Sequence, residues 1–318
     1  MNKIPGGIYG VIVGDMLGVP VEFSSREERK ADPVVGPGDG GPHEQPLGAW
    51  SDDSSLTLAL ADALGTRYSL ESISRTFIAW WMEKKYTSHD WVYDIGTQTR
   101  MSLNILLKIL ESEDYEALEL LHLEADDGTN GNGSLMRILP LYFYLQDKVI
   151  EDNFEVIWQV SALTHQHIRA ALACLLYLVL LDELNQPGAT PASAYVAMKN
   201  RMQTFFDNNE EAQSEADHFS RLLDDDISLL PEHSIRSGGY VIETIEAAVW
   251  CLLNTDSYQT AVLRAINLGH DTDTTGAVTG GLAGFYYGFA AIPKDWVAVL
   301  PKKDEVNAIC NQLISTTD

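Results

Sequence analysis

The chain has 318 residues, and 45% of them are hydrophobic, so it is long enough to bury a sizeable core. Its 46 acidic and 21 basic residues give a formal net charge of −25, which argues against a nucleic-acid partner because phosphate backbones need clustered Lys and Arg. Composition does not shift abruptly and no long Ser/Pro linker interrupts the chain, so we expect one domain spanning residues 1–318.

The first predicted element is an apolar helix that carries glycine on one face. Glycines recur at Gly6, Gly10, Gly14 and Gly18, and their missing side chains allow another element to approach closely. The segment lacks the longer apolar stretch and the cleavage site of a signal peptide. The three cysteines are odd in number and far apart, which predicts free thiols. Free thiols and the missing signal peptide together predict a cytoplasmic protein with no membrane partner.

A long polar segment, residues 24–49, follows this helix and is rich in Gly and Pro. An unstructured stretch of this length in a compact domain is typically functional or disordered, so we predict a loop that acts as a lid. Glu22 lies where the helix gives way to this loop. A glutamate there can close over a site and act as a base or orient a water molecule, although most such glutamates are only solvated.

The next helix begins with a hydroxyl and two acids. Ser51, Asp52 and Asp53 precede an apolar stripe with helical spacing, formed by Leu56, Ala59, Leu60, Ala63 and Leu64. Taken alone, such residues are adequately explained as helix caps that answer the positive end of the helix dipole.

Helical periodicity continues through most of the chain, and we find no convincing series of alternating strands, so the predicted fold class is all-α. Further helices are predicted around 70–83, 98–110, 134–145, 154–164, 168–182, 240–253 and 258–268. The acidic run at 207–226 is interpreted as a solvated surface segment.

Two features in the middle of the chain have both a structural and a functional interpretation. Gly131-Asn132-Gly133-Ser134 precedes an apolar helix, where it forms either a plain cap or a group of N–H donors able to bind an anion. His165 is a lone helical histidine, which is more often structural than functional, and His167 beside it is expected at the surface.

The last cluster repeats the pattern of the first. Asp271, Asp273 and Thr274 start a second helix with glycine on one face, at positions 276, 280, 284 and 288. Its uncharged stretch, 276–292, is at the short limit for a membrane span and is expected to be a core helix. A calcium-loop match also fails, because the twelfth position, which requires a glutamate, is Leu282.

Capping requires one such residue, not two acids and a hydroxyl repeated at two helix starts. Adjacent carboxylates repel one another unless a cation lies between them, and carboxylate and hydroxyl oxygens suit Mg²⁺, Mn²⁺ or Ca²⁺. Four carboxylates from two helix starts can hold a pair of ions.

Taken in order, these motifs resemble the ADP-ribosylglycohydrolase family over nearly the whole chain. The matching segments are 14–23 (GDMLGVPVEF), 51–54 (SDDS), 94–99 (DIGTQT), 131–137 (GNGSLMR), 163–165 (LTH) and 270–281 (HDTDTTGAVTGG). The resemblance implies a compact orthogonal helical bundle with a binuclear metal site, two divalent cations (Mg²⁺ or Mn²⁺), and ADP-ribose carried by a modified protein as the substrate.

The resemblance also implies roles for individual residues. Metal ligands would be Ser51, Asp52, Asp53, Asp271, Asp273 and Thr274. Substrate-binding residues would be Gly131, Asn132, Gly133 and Ser134 at the diphosphate, together with His165 and Asp94. Candidates for orienting water or moving protons would be Glu22, Asp53, Asp94 and Asp273. Two positions depart from the family pattern, because Ser51 replaces the commoner Thr and His270 stands where Asn is frequent.

The implied activity is metal-dependent hydrolysis of the bond between ADP-ribose and its target, through an oxocarbenium-like transition state. An acid at Asp94 favours arginine as the leaving group, because a carboxylate pairs well with a guanidinium. Two alternatives stay open: a relative that binds ADP-ribose without catalysis or serves as a structural protein, and a hydrolase of serine-linked or other conjugates. A monomer is expected.

Overall fold

The computed structural model describes residues 3–125 and 127–317, so four residues of the predicted domain, 1, 2, 126 and 318, lie outside the described part. Within that part the chain forms seventeen α-helices and no β-strand, which confirms the all-α prediction. In chain order the helices are α1 (Ile4–Gly18), α2 (Arg26–Ala31), α3 (Asp52–Thr66), α4 (Leu70–Glu83), α5 (Thr97–Ser112), α6 (Glu116–Leu120), α7 (Leu139–Leu145), α8 (Phe154–Ala162), α9 (Ile168–Leu184), α10 (Pro191–Asn208), α11 (Glu210–Gln213), α12 (Ser220–Leu223), α13 (Val241–Leu253), α14 (Tyr258–Ile266), α15 (Thr272–Tyr287), α16 (Lys294–Ala298) and α17 (Lys303–Thr317).

Helices α1 and α15 pack directly on each other through their glycine faces, as their spacing predicts. A Cβ atom added at Gly10 would overlap the carbonyl oxygen of Gly280, and one added at Gly14 would overlap that of Gly276. At the end of α1, Gly18 lies against the backbone of Asp273. This backbone-to-backbone contact fixes the start of α15, where the second acidic cluster lies, against the end of α1.

The remaining core surrounds this pair. Helix α3 packs against α1, α4 and α17, so the last helix of the chain contacts one from its first quarter. Helix α9 is buried on all sides from Ala170 to Leu181 and packs between α8, α10 and α13. A helix that is apolar all round belongs inside a core, because it has no face to offer to water.

The N-terminal helix and the turn after it are together long enough and apolar enough to cross a membrane. The window Ile4–Val21 has a mean hydropathy of 1.4, and 83% of it is buried inside the protein. It is one of the two central helices of the core, and a core helix passes the same test.

Two sequence predictions need correction. The segment 24–49 is not wholly unstructured, because α2 lies within it and begins with a capping box between Ser25 and Glu28. Arg26 holds this helix in place by donating hydrogen bonds to the backbone oxygens of Leu268, Glu232 and Ile235. The helix predicted at 134–145 is divided into a 3₁₀ turn, Leu135–Arg137, and α7, which has a proline in its first turn.

The acidic segment 207–226 exposes most of its acids but buries the apolar side chains of Ala212, Phe219 and Leu222. It contains the end of α10 and two short helices, and Asp224, Asp225 and Asp226 are exposed. The Asp226 side chain accepts a hydrogen bond from the backbone N–H of Ser228, so it caps a turn.

Candidate functional site

A cavity of about 530 Å³ opens between the starts of α3, α5 and α15 and the loops beside them. Most of the residues predicted for the site line it. Those in the lining are Glu22, Asp52, Asp53, Asp94, Gly131, Asn132, Gly133, His165, Asp271 and Thr274. Three others, Ser51, Ser134 and Asp273, are buried behind its wall.

The start of α3 is held by a buried carboxylate from α1. Asp15 is fully buried, and its oxygens accept hydrogen bonds from the backbone N–H groups of Ser51 and Ser54 and from the Ser54 hydroxyl. Burial raises the pKa of Asp15 to about 6. Ser51 acts as the N-cap, because its hydroxyl oxygen accepts a hydrogen bond from the N–H of Asp53 at 3.2 Å. The plain capping interpretation is therefore correct for this hydroxyl in the structure.

The start of α15 meets the start of α3 across the floor of the cavity. The Thr274 hydroxyl donates to Oδ1 of Asp53 at 3.4 Å, which joins the two acidic clusters. Asp271 accepts a hydrogen bond from the Asn132 side chain at 2.8 Å, and Asp273 accepts one from the N–H of Thr274 at 2.9 Å. Both clusters occupy first turns, where the helix dipole favours negative charge.

The electrostatics of this floor fit a divalent cation. Burial, and after it the neighbouring carboxylates, raise the pKa values of Asp52, Asp53 and Asp273 well above their usual range. Oδ2 of Asp53 is buried and has no hydrogen-bond partner among the described residues. A group of buried carboxylates with an unsatisfied oxygen is stabilised by a cation, and oxygen ligands of this kind suit Mg²⁺, Mn²⁺ or Ca²⁺.

A second acidic group lies at the mouth of the cavity and includes a residue that the sequence did not single out. His43 Nε2 lies 2.6 Å from Oε2 of Glu22 and 3.6 Å from Oδ1 of Asp94. One ligand atom from each of the three lies within 4.8 Å of the others, so this group can also hold an ion, with one nitrogen and two oxygens. Burial and the charges of nearby acids, Asp94 first, raise the pKa of Glu22 to about 9.

Asp94 reaches this group from a strained position in the backbone. Its φ of 52° lies in the left-handed region that residues other than glycine rarely adopt. Burial raises the pKa of this carboxyl, and the nearby His43 opposes that rise. Backbone strain of this kind tends to occur at functional positions, where the surrounding structure holds it.

The loop 131–134 forms one wall of the cavity and is tied to the turn before α13. Gly131 forms a bridge with Tyr240, and the N–H of Asn132 donates to the oxygen of Gly239. The Asn132 side chain also donates to Thr244 at 2.9 Å. Ser134 does not face the cavity, because it is fully buried and its hydroxyl oxygen accepts from Ser161. Its predicted place at the diphosphate has no support from this geometry.

His165 lies beside this loop and lines the cavity, although only 5% of it is exposed. Its Nδ1 lies 3.0 Å from the Thr164 hydroxyl oxygen. His167, expected at the surface, is instead buried and caps α9, because its Nδ1 accepts a hydrogen bond from the N–H of Arg169 at 3.0 Å.

Comparison with known proteins identifies the family. The family model described as ADP-ribosylglycohydrolase matches residues 1–318. The chain is 28% identical over 316 residues to the ADP-ribosylarginine hydrolase Tri1 of Serratia proteamaculans, covering 98% of this chain and 79% of that protein. It is 26% identical to the ADP-ribosyl-[dinitrogen reductase] glycohydrolase of Rhodospirillum rubrum, covering 96% of this chain and 92% of the relative.

A solved structure titled as an ADP-ribosylglycohydrolase-related protein complex superposes with a TM-score of 0.77 at 28% identity, covering 99% of this chain and 98% of that one. The chain therefore belongs to the ADP-ribosylglycohydrolase family, whose members hydrolyse the glycosidic bond of ADP-ribose conjugates.

Two residues with clear structural roles at the site were not assigned from the sequence. Asp15 is a charged residue within an apolar helix with a glycine face, and that contrast is a signal for a buried functional carboxylate. His43 lies alone among Gly and Pro residues, and nothing in that pattern indicates that the loop folds back onto Glu22.

Proposed function

We propose that this chain is a divalent-cation-dependent hydrolase that releases ADP-ribose from arginine side chains of modified proteins. The observation that carries the proposal is the convergence of both acidic clusters on the floor of one cavity with Glu22 and Asp94 at its mouth. Support for arginine comes from the relatives named ADP-ribosylarginine hydrolase in Serratia proteamaculans and Pseudomonas putida.

The floor of the cavity is proposed to hold two cations, Mg²⁺ or Mn²⁺. Their ligands would come from Asp52, Asp53, Asp271, Asp273 and Thr274, with Ser51 as a further candidate that the structure uses as a cap. When bound, such ions supply positive charge that orients hydroxyl groups and lowers the pKa of a bound water.

The residues at the mouth are proposed to handle the leaving group and the proton. The Asp94 carboxylate accepts hydrogen bonds from the guanidinium of the modified arginine and so aligns the bond that breaks. Glu22 holds or moves a proton at the water or at the departing nitrogen, and its position beside the lid segment suits that task. The glycosidic carbon gains positive charge as the bond breaks, which the surrounding carboxylates favour.

The anionic part of the substrate is proposed to lie against Gly131, Asn132 and Gly133, with His165 in contact with it. The absence of side chains at the two glycines lets the His165 ring pack directly against this loop. The three free, buried cysteines support a reducing cytoplasm as the place of action.

The test measures ADP-ribose release from a protein modified on arginine and from one modified on serine. Purified chain is assayed with Mg²⁺, with Mn²⁺, and with EDTA followed by return of the cation. We expect release from arginine that EDTA abolishes and the cation restores. Asp53→Asn should remove it, whereas Asp224→Asn, a change at an exposed acid outside the cavity lining, should not. Rapid hydrolysis of the serine conjugate with none of the arginine conjugate would overturn the proposed substrate.

A further inference from the structure

Behind the cavity wall lies an arginine that pairs with no carboxylate among the described residues. Arg137 is fully buried, and its guanidinium carbon lies 4.6 Å from the centre of the Phe77 ring. Its Nη2 donates to the oxygens of Val160 and Ser161 and to the Thr164 hydroxyl, while Nε and Nη1 have no partner in the part of the chain the structure describes. Burial of an unpaired charge is costly, so this arrangement calls for a functional reason.

The hydrogen bonds around Thr164 determine where the protons lie. A guanidinium can only donate, so the Thr164 oxygen accepts from Arg137 at 2.7 Å. The Thr164 side chain is fully buried, and the only other polar atom that the described residues place within hydrogen-bond distance of it is Nδ1 of His165, at 3.0 Å. A buried hydroxyl proton needs an acceptor, so Thr164 donates to Nδ1 and His165 carries its own proton on Nε2.

The protonated nitrogen faces the glycine loop of the cavity. A Cβ atom added at Gly131 would lie 3.4 Å from Nε2 of His165, and one added at Gly133 would lie 3.1 Å from it. Burial, and then the positive charge of Arg137, lower the pKa of His165 to about 3, so its ring is neutral at pH 7. Five carboxylates line the cavity, and no Lys or Arg is present among the described residues of the lining.

We propose that Arg137 is a positioning residue for the anionic part of the substrate. Through Thr164 it fixes His165 as a neutral ring whose Nε2–H donates to a diphosphate oxygen beside the glycine loop, and its own uncompensated charge lies directly behind that donor. The inference rests on the proposed function, because it takes ADP-ribose as the ligand. It explains how an acidic protein with an acidic cavity holds a diphosphate without a surface arginine or lysine at the site.

The first test determines, without any substrate, which ring nitrogen of His165 carries the proton. Protein labelled with ¹⁵N in histidine only should show a His165 ring protonated on Nε2 alone, with the signal assigned by its loss in His165→Asn. Thr164→Val keeps the shape but removes the bridging hydroxyl, so the two ring nitrogens should approach an averaged, mixed-tautomer shift. Thr164→Ser keeps the hydroxyl and should keep the wild-type signal.

The second test reads the effect on the ligand. Thr164→Val should weaken ADP-ribose binding by about 10- to 100-fold, the scale of one hydrogen bond to a charged group, and raise KM more than it lowers kcat. Its Mn²⁺ affinity should stay that of the wild type, because the acidic floor is untouched, and Thr164→Ser should bind ADP-ribose normally. If Arg137→Met folds, it should weaken ADP-ribose binding as much as Thr164→Val does. If it does not fold, the ADP-ribose affinity of Thr164→Val alone tests the role of Arg137.

The outcomes separate this inference from the proposed function. A wild-type protein that does not bind ADP-ribose contradicts the proposed function, while the ¹⁵N result still decides the proton position. A wild-type protein that binds and hydrolyses normally, with Thr164→Val indistinguishable from it in both ¹⁵N shift and ADP-ribose affinity, overturns the role of Arg137.

Discussion

Glu22 and Asp273 are both acidic residues of the site, but the structure gives them different surroundings. Glu22 lines the cavity from the segment between α1 and α2 and contacts His43. Asp273 lies in the first turn of α15, against Gly18 of α1, and is 1% exposed. A residue at the mouth is suited to proton transfer, whereas a fixed carboxylate on the floor is suited to holding a cation.

This difference predicts that the two charge-removing variants fail in different ways. Glu22→Gln should lower kcat by about 10²–10⁴-fold while the cations of the acidic floor and the ADP-ribose affinity stay near wild type. Asp273→Asn should lose at least one cation, so ADP-ribose binding and rate should fall together.

Metal analysis and calorimetric titration with ADP-ribose separate the two variants. Because removal of one charge relieves repulsion among buried carboxylates, Asp273→Asn should also melt at a higher temperature than wild type in EDTA. Loss of the cation from Glu22→Gln, or normal cation and ADP-ribose binding by Asp273→Asn, would contradict this division.

At the residue scale, the acidic clusters were predictable because each lies at a helix start, where the sequence shows both the acids and the apolar stripe behind them. That the two clusters meet depends on the tertiary structure, and only their matching composition indicated it, because the glycine faces pair α15 with α1 and not with α3. Ser134 and His43 were not predictable, because their side-chain directions depend on how irregular loops fold. Four residues in a row cannot all face one cavity, and Ser134 is the one that turns into the core.

At the scale of elements, the contact between α1 and α15 links packing to the site. Gly10→Ala adds a methyl group that overlaps the carbonyl oxygen of Gly280, so the helices must separate. Although alanine favours a helix by about 1 kcal/mol, overpacking typically costs about 1–3 kcal/mol, and here the neighbour is rigid backbone. We therefore expect a lower melting temperature and weaker cation binding, because Asp271 directly precedes α15 and Asp273 lies in its first turn.

A matched control for this variant lies in α3. Gly65 is also within a helix, but the three atoms nearest to an added Cβ all belong to the flexible side chain of Gln312. Gly65→Ala should be neutral or slightly stabilising, and it should bind the cation as wild type does. Thermal melts with and without Mn²⁺ compare the two. Equal stability of Gly10→Ala and Gly65→Ala would show that the helix contact tolerates expansion.

The prediction that the segment 24–49 acts as a lid also belongs to this scale, and the structure reduces the length of chain to which it applies. Because Arg26 anchors α2, we now predict the lid in the segment 32–49, which contains His43 and is held near its start by two hydrogen bonds between Val34 and Asn267. Hydrogen exchange with ADP-ribose present should show new protection in 32–49 and around Glu22, with little change in α2. Equal exchange in both states would contradict a lid.

The helices themselves were predictable where an apolar face recurs with helical spacing. The stripe predicted at 70–83 coincides with α4, and those at 168–182 and 240–253 lie within two residues of α9 and α13. Helix α2 was missed because it has no apolar face, so only its Ser25–Glu28 capping box marked it. The break before α7 follows from Pro140, whose effect on a continuous apolar run is easily overlooked.

At the scale of the whole molecule, charge is unevenly distributed between surface and interior. The net charge of −25 is largely solvated, as in the exposed acids of 207–226, and solvated charges cost little. The buried acids of the site differ, because the folded chain removes them from water and places them side by side. The stability of the whole protein should therefore depend on what occupies that site.

This dependence gives a prediction about pH and cation together. In EDTA, the folded-state pKa values of about 6 for Asp15 and about 9 for Glu22 exceed the unfolded values of 3.8 and 4.5, and those of Asp52, Asp53 and Asp273 are raised too. From about pH 4 upward the unfolded chain has released protons that the folded protein still holds. Because stability falls with pH wherever the folded state binds more protons, the melting temperature in EDTA should fall between pH 5 and pH 8.

A bound cation should reverse most of this loss, because it replaces the protons at the same carboxylates. At 100 times its dissociation constant the cation raises the free energy of unfolding by about 2.7 kcal/mol, or the melting temperature by about 5 °C for a chain of this size. This gain should be larger at pH 8 than at pH 5, because protons compete with the ion for the carboxylates. Asp53→Asn should lose the cation-dependent gain.

Glu246 contributes to the pH dependence separately from the site. It lies on α13, and burial raises its pKa to about 7. Glu246→Gln should therefore reduce the pH dependence of the melting temperature in EDTA without changing the gain from the cation. A melting temperature in EDTA that stays flat or rises from pH 5 to pH 8, with no added gain from the cation at pH 8, would show that these carboxylates do not form a buried cation site.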